Sequence, residues 1–157
     1  MSHIGITSET ALQDDVRAMV AELNAYLRPL TPPQFQFQLT VEQMADPSIT
    51  LFVARDEKGA AVGMASLKDH GGGVGEVKRM FTRPVARGTG LGGLLLERVE
   101  AEARARGVTR LVLETGEGNG FEPACRVYER GGFSRCGPVL DYPDSGFNRF
   151  YEKKTGA

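Results

Sequence analysis

The sequence predicts an α/β (α+β) fold on a mixed sheet, antiparallel at first and parallel at one later junction. Three observations predict it. Apolar runs broken by glycine-rich turns fill residues 49–82, the pattern of consecutive antiparallel strands. A glycine turn, Arg87-Gly88-Thr89-Gly90-Leu91-Gly92-Gly93, then opens into the strongly helical run Leu94 to Arg106. That helix joins one strand to the next apolar run, Arg110 to Thr115, and a strand–helix–strand connection favours a parallel pair.

In chain order, Ile4 to Thr7 is a short strand, and Ser8 or Thr10 caps the helix that follows. Val16, Met19, Val20, Leu23 and Leu27 recur at helical spacing, and Pro29, Pro32 and Pro33 stop the helix near Arg28. Residues 29–39 are irregular and carry Phe35 and Phe37, after which Thr40 caps a short helix, Val41 to Ala45. Ile49 to Arg55 and Ala60 to Lys68 form a hairpin about Asp56-Glu57-Lys58-Gly59, and Gly71-Gly72-Gly73 turns into the strand Val74 to Thr82. In the helix after the glycine turn Leu91, Leu94, Leu95 and Val99 share one side. Glu100 and Glu102, four residues before Arg104 and Arg106, mark an exposed face, and Gly107 ends it. Beyond the strand at 110–115 come a loop to Gly120, a helix from Phe121 to Arg130, and strands Phe133 to Cys136 and Phe147 to Lys153 around a polar turn at 141–146.

Composition excludes several classes. At 157 residues, 41% hydrophobic and 25% charged, the chain suits a single globular domain over residues 1–157. A net charge of −1 gives no electrostatic reason to expect nucleic acid or an anionic membrane. Cys125 and Cys136 make no disulfide framework and read as small hydrophobes; His3 and His70 are too few and too far apart for a metal site. With no apolar run long enough to span a bilayer and no signal-peptide core, the expected location is cytoplasmic.

The chemistry centres on the glycines. A glycine-rich turn entering a helix aims unpaired N–H groups and the positive end of the helix dipole at one point, which suits phosphate. Gly88-x-Gly90-x-x-Gly93 formally matches a dinucleotide fingerprint, with Glu114 ending the next strand, but that unit needs a strand running straight into its first glycine. Here residues 83–87 intervene and apparent antiparallel strands come first. A P-loop needs Lys-Ser or Lys-Thr after the glycines, and none follows.

Parsed instead as Arg87-x-x-Gly90-x-Gly92, with Pro84 upstream, the segment from Met80 to Gly92 resembles the acetyl-CoA loop of the GNAT family of N-acetyltransferases. The strand Leu111 to Glu114 and then Ala124-x-x-x-Tyr128-x-x-x-Gly132-Phe133 are similar to that family's following elements, and the tail from Tyr142 to Lys153 to that of its small bacterial members. The resemblance covers nearly the whole chain. It implies a mostly antiparallel central sheet with one splayed parallel pair, flanked by about four helices.

It also implies acetyl-CoA as co-substrate, no metal, and acetyl transfer to a primary amine. The pyrophosphate falls to the backbone of Arg87, Gly88, Thr89, Gly90, Leu91, Gly92 and Gly93, and the pantetheine arm to Met80, Phe81 and Thr82 as an added strand. Tyr128 stands where relatives carry the tyrosine that protonates the leaving thiolate or orients the sulfur. Many relatives have an Asn seven residues before that tyrosine; Phe121 occupies that position here, and Asn119 is the nearby substitute. Arg126 is set to meet a CoA phosphate or to face solvent.

The base stays open between Glu76, Glu114 and a water chain, and either carboxylate reads equally as a solvated strand residue. Glu76 lies roughly 13 Å from Met80 at about 3.3 Å per strand residue, so it acts only through water or across a bulge. The acceptor pocket is expected between residues 29–39, the strands and Tyr142, with Tyr26, Phe35 and Phe37 as an apolar wall. Lys78, Arg79 and Arg149 are the nearby cations; strand alternation lets only one of Lys78 and Arg79 face the pocket. One pointing inward favours a small, amino-acid-like amine. A protein or peptide acceptor and a non-catalytic acetyl-CoA sensor are the alternatives, and the assembly is a monomer or a homodimer.

Overall fold

In a computed structural model, residues 3–156 are described, except for the side chain of Asn119. Strand β1 (Gly5–Ser8) leads to helix α1 (Asp14–Leu27), the four-residue helix α2 (Val41–Met44), and the meander β2 (Ile49–Arg55), β3 (Ala61–Gly71) and β4 (Val74–Thr82). Helix α3 (Leu91–Ala105), β5 (Arg110–Gly116), α4 (Glu122–Arg130), β6 (Ser134–Cys136) and β7 (Asn148–Lys154) complete the order. The strands form one 7-stranded sheet in the order β1-β2-β3-β4-β5-β7-β6. Only β4 and β5 are parallel; the other neighbours are antiparallel.

Alternation decides what each face carries. Phe52, Val62, Ala65, Val77, Leu111, Leu113 and Tyr151 pack under α3 and α4, whereas Leu51, Val53, Met64 and Phe81 pack under α1 and α2. Fully burying a side chain such as Leu95, Val99 or Met19 contributes about 1.5–3 kcal/mol each. Arg55 ties β2 to the start of the chain, donating to Glu9 at 2.8 and 3.0 Å and to Asp15 at 2.6 Å.

Several local expectations need correction. Neither Ser8 nor Thr10 caps α1: Gln13 stands at the N-cap without a side-chain cap bond, because Thr10 Oγ1 takes the N–H of Leu12 in an earlier turn. Leu96, not Leu94, joins Leu91, Leu95 and Val99 beneath α3; Leu94 is 45% exposed. Glu100 is not on an exposed face: it is buried, paired with Arg104 and receiving Lys153 Nζ at 2.7 Å. Two short 3-10 turns, Pro33–Phe35 and Asn119–Phe121, lie in segments expected to be irregular. The Thr40 cap does form, as a reciprocal capping box with Gln43.

Two departures from a regular sheet shape its centre. β4 and β5 pair only between Val74–Glu76 and Arg110–Val112, then part, so residues 77–82 have no strand on that side. On its other side β4 bulges: Met64 pairs with Phe81 but Ser66 with Lys78, which sets Arg79 and Met80 against the single residue Ala65. Arg79 holds φ at 53°, the left-handed region that non-glycine residues seldom enter.

Candidate functional site

The fork between β4 and β5 opens into a cleft of about 820 Å³ that runs through the sheet from one face to the other. At its α3/α4 end stands the glycine turn. Gly88 (φ 76°) and Gly90 (φ 86°) reverse the chain, and Gly90 is the N-cap of α3. Leu94 N is the first in the helix to find a carbonyl, Gly90 O at 3.2 Å, and among the described residues the N–H groups from Gly88 to Gly93 bond to nothing. Gly92 faces α4, where an added Cβ would sit 3.4 Å from Val127 and 3.9 Å from Met80 Cε. A row of free donors on a dipole end, reached over bare backbone, is a fitting seat for a diphosphate.

The other residues expected to serve that seat are placed unevenly. Thr89 turns its hydroxyl inward to donate to Ala86 O, and it does not border the cleft. Arg87 folds back, its Nε donating to Thr82 O at 3.0 Å beneath the rings of Tyr26 and Phe81. The Thr82 carbonyl therefore already has a donor, while Met80, Phe81 and Thr82 together line the open edge of β4. Arg126 is exposed at the rim of the cleft; the side chain of Asn119 lies outside the described residues.

Tyr128 comes from α4 and lines the cleft at the fork, packed against Phe133 and Tyr151. Its hydroxyl makes no hydrogen bond among the described residues, and burial pushes its pKa well above the ordinary phenol value. It stays protonated at any physiological pH, which fits a hydrogen-bond or proton donor.

The floor on the α1/α2 face is a polar cluster. Glu76, 2% exposed, receives His70 Nε2 at 2.8 Å on Oε1, and both the Tyr142 hydroxyl and Lys78 Nζ (3.3 Å) on Oε2. Lys78 also donates to the Tyr142 oxygen at 2.6 Å and lies 5.3 Å from its ring centre. Burial, then Glu76, drives the Tyr142 pKa far above its usual value. Glu114 stands apart with one partner, Asn148 Nδ2 at 3.2 Å on Oε2, and burial raises its pKa to about 7.

A roof covers this floor. Tyr26 donates to Gly120 O at 2.6 Å, Phe35 stacks on Phe147 with ring centres 5.4 Å apart, and Phe37 meets Tyr142 edge-on at 5.5 Å. The last turn of α1 is thereby latched to the β5–α4 loop, and the segment after it to the β6–β7 loop.

Two expectations about cations are revised. Lys78 and Arg79 both border the cleft, because alternation does not survive the bulge between them. Arg79 is nevertheless committed elsewhere: its Nη2 donates to Asn24 on α1, and burial brings its pKa down to about 10. Arg149 faces the α4 side, bound to Glu117 and to the Tyr151 hydroxyl at 3.2 Å, and does not border the cleft.

His70, Asn148 and Phe147 were not foreseen. For His70 a signal existed: Lys68 pairs with Glu76, so extending β3 by two residues brings His70 to the same face diagonally from Glu76. Asn148 stands likewise two residues before Phe150, the partner of Glu114, but its register depends on β7 inserting between β5 and β6. Among the described residues no group of three or more His, Cys, Asp or Glu could hold a metal, and no helix is long and apolar enough to cross a membrane.

Comparison with known proteins agrees with this architecture. Residues 16–133 match the acetyltransferase (GNAT) family. Over 154 residues, 98% of this chain and 99% of the relative, the sequence is 41% identical to the IAA acetyltransferase of Azospirillum brasilense. A crystal structure from Klebsiella pneumoniae, provisionally named an acyl-CoA N-acyltransferase, superposes with a TM-score of 0.81 at 29% identity, covering 97% of both chains. The PaiA N-acetyltransferase of Thermoplasma acidophilum, in complex with coenzyme A, shares the fold at a TM-score of 0.74 and 15% identity, over 97% of this chain and 99% of that one.

Proposed function

Since the chain belongs to the acetyltransferase (GNAT) family, we propose that it moves an acetyl group from acetyl-CoA directly to the primary amine of a small, amino-acid-like molecule. The observation that carries this reading is one continuous cleft, with free backbone donors at one end, Tyr128 at the fork and a roofed polar floor at the other. Acetyl-CoA, when bound, supplies the activated acyl group. The N–H groups of Gly88 to Gly93 would hold its pyrophosphate, and the unpaired edge of β4 at Met80 to Thr82 its pantetheine amides. The Tyr128 hydroxyl would give its proton to the departing sulfur, a role open to it because it borders the cleft protonated and makes no hydrogen bond among the described residues.

The roof favours a small acceptor. Tyr26, Phe35, Phe37 and Phe147 line the cleft above Lys78 and Glu114, while Tyr142, expected in the pocket wall, packs edge-on against Phe37 without bordering the cleft; a chamber walled by rings admits an apolar side chain better than an extended peptide. Lys78, paired in the floor with Glu76 and Tyr142 and not drawn off to α1 or α4, borders the cleft and suits an acceptor carboxylate. We further propose one catalytic domain over residues 1–157, working in the cytoplasm as a monomer or homodimer.

A thiol-release assay with acetyl-CoA and a panel of amino acids, simple amines and peptides tests the reading. Release with small carboxylate-bearing amines, and little with peptides, is the expected outcome. Preference for peptides would overturn the small-molecule assignment, and coenzyme A uptake without release from any acceptor would leave a sensor instead of an enzyme.

A further inference from the structure

We infer that Glu114, held by Asn148, takes the proton from the acceptor's ammonium group, and that Glu76 is a positioning residue instead. This inference rests on the acetyl-transfer reading. Glu114 lies two residues beyond Val112, the last β5 residue to pair with β4, so it stands where the fork opens, and it borders the cleft. Its Oε1 accepts no hydrogen bond among the described residues; Oε2 has only Asn148, whose Oδ1 is in turn held by Ser145 N at 3.3 Å. The carboxylate is therefore aimed but not satisfied. Glu76 is the opposite case, since both of its oxygens already accept bonds from His70, Lys78 and Tyr142. A proton arriving there would break that set and strip Lys78 of its counter-charge.

The groups that face Glu114 are Glu76 and Lys78 from β4, Tyr128 from α4, Tyr142 from the β6–β7 loop and the Asn148 amide from β7. Lys78 and Asn148 favour the carboxylate, Glu76 and burial oppose it, and burial is the largest effect, which leaves the group near pH 7 as a base should be. The step balances. An ammonium N–H proton passes to Glu114, giving neutral amine and carboxylic acid. The amine lone pair forms the N–C bond as the C–S bond breaks and its electron pair leaves on sulfur. The second proton shed by nitrogen replaces, on the Tyr128 oxygen, the one that Tyr128 gave to sulfur, and the proton on Glu114 returns to solvent when products leave. Glu76 fixes Tyr142 and Lys78 throughout.

The test is kcat/KM against pH for wild type, E114Q, E76Q and N148A. The acceptor is the best of the amine panel with an ammonium pKa above about 9, so that the acid limb belongs to the enzyme. Wild type should show an acid limb near pH 7. E114Q should lose about 10²–10⁴-fold at neutral pH together with the limb. N148A should move the limb upward, and E76Q should keep it while raising KM. Wild-type turnover beside an E114Q variant with the same limb, or loss of the limb in E76Q alone, overturns this assignment while leaving the transfer reading intact. Absence of thiol release by wild type overturns both.

Discussion

Replacing Glu114 by glutamine should stabilise the protein in alkaline solution and leave it nearly unchanged in acid. The reason is the mismatch between the buried carboxyl, at about 7, and the same group in the unfolded chain, near 4.5. Below the unfolded value both states hold the proton, and the full contribution of the native site is present. As pH rises the unfolded chain releases its proton first, so stability falls until the native group ionises, and above that point the loss is complete. A gap of this size corresponds to about 3 kcal/mol at about 1.4 kcal/mol per pH unit. Glutamine cannot ionise and keeps an oxygen for the Asn148 amide, which now donates at 3.2 Å. The difference in unfolding free energy between E114Q and wild type should therefore grow by about 3 kcal/mol between pH 4 and pH 8.5. In melting temperature that is roughly 6–12 °C for a chain of this length. Urea titrations at matched ionic strength measure it, and taking the difference removes the other titrating groups. A difference constant within about 0.5 kcal/mol over that range would show a solvated carboxyl and refute the reasoning from burial.

The remaining predictions address the rest of the cleft and the scaffold. Tyr128→Phe removes a hydroxyl that makes no hydrogen bond among the described residues, so folding and coenzyme A affinity should hold while kcat drops about 10²-fold or more; unchanged turnover would take Tyr128 out of the chemistry. Gly92→Val directs methyl groups at Val127 from a Cβ only 3.4 Å away, and calorimetry should show coenzyme A binding weakened by about tenfold or more with the fold retained. Arg55→Ala should cost about 1 kcal/mol at neutral pH, since the ion pairs it breaks are partly solvated. Arg55 holds the Glu9 carboxyl down at about 2, a stabilisation present above about pH 4.5 and lost as pH falls toward 2; the gap between variant and wild type should close over that window.

How much of this was legible in the sequence depended on the range of the forces involved. The Thr40 capping box, the hairpins of the meander and the glycine entry to α3 are set by residues a few positions apart, and each forms at or within a few residues of where its spacing puts it. The parallel pair followed from a helical connection. What local patterns could not carry was partner choice across the sheet. The insertion of β7 between β5 and β6 brings Asn148 beneath Glu114 and makes room for Tyr142 over Glu76, and no periodicity encodes that order. Likewise Glu100 lies at an i,i+4 spacing that reads as solvent-facing, yet Lys153 from the last strand reaches over and buries it.

The bulge shows why such distant contacts matter to chemistry. An arginine at φ 53° costs about 1–2 kcal/mol relative to ordinary backbone, so something must hold it there. Asn24, on the α1 helix, receives its guanidinium, and the extra residue that results bends β4 between Lys78 and Phe81. Past Glu76 the two parallel strands have already separated, and the bend falls on the stretch of β4 that lacks a partner on its β5 side, where an added strand would have to lie. The same bend breaks the alternation that would have put Lys78 and Arg79 on opposite faces, leaving one for the floor and one for the helix. Asn24→Ala, far from any reacting atom in sequence, thus bears on the shape of the fork through a single hydrogen bond to a residue that the alternation rule alone would have misassigned.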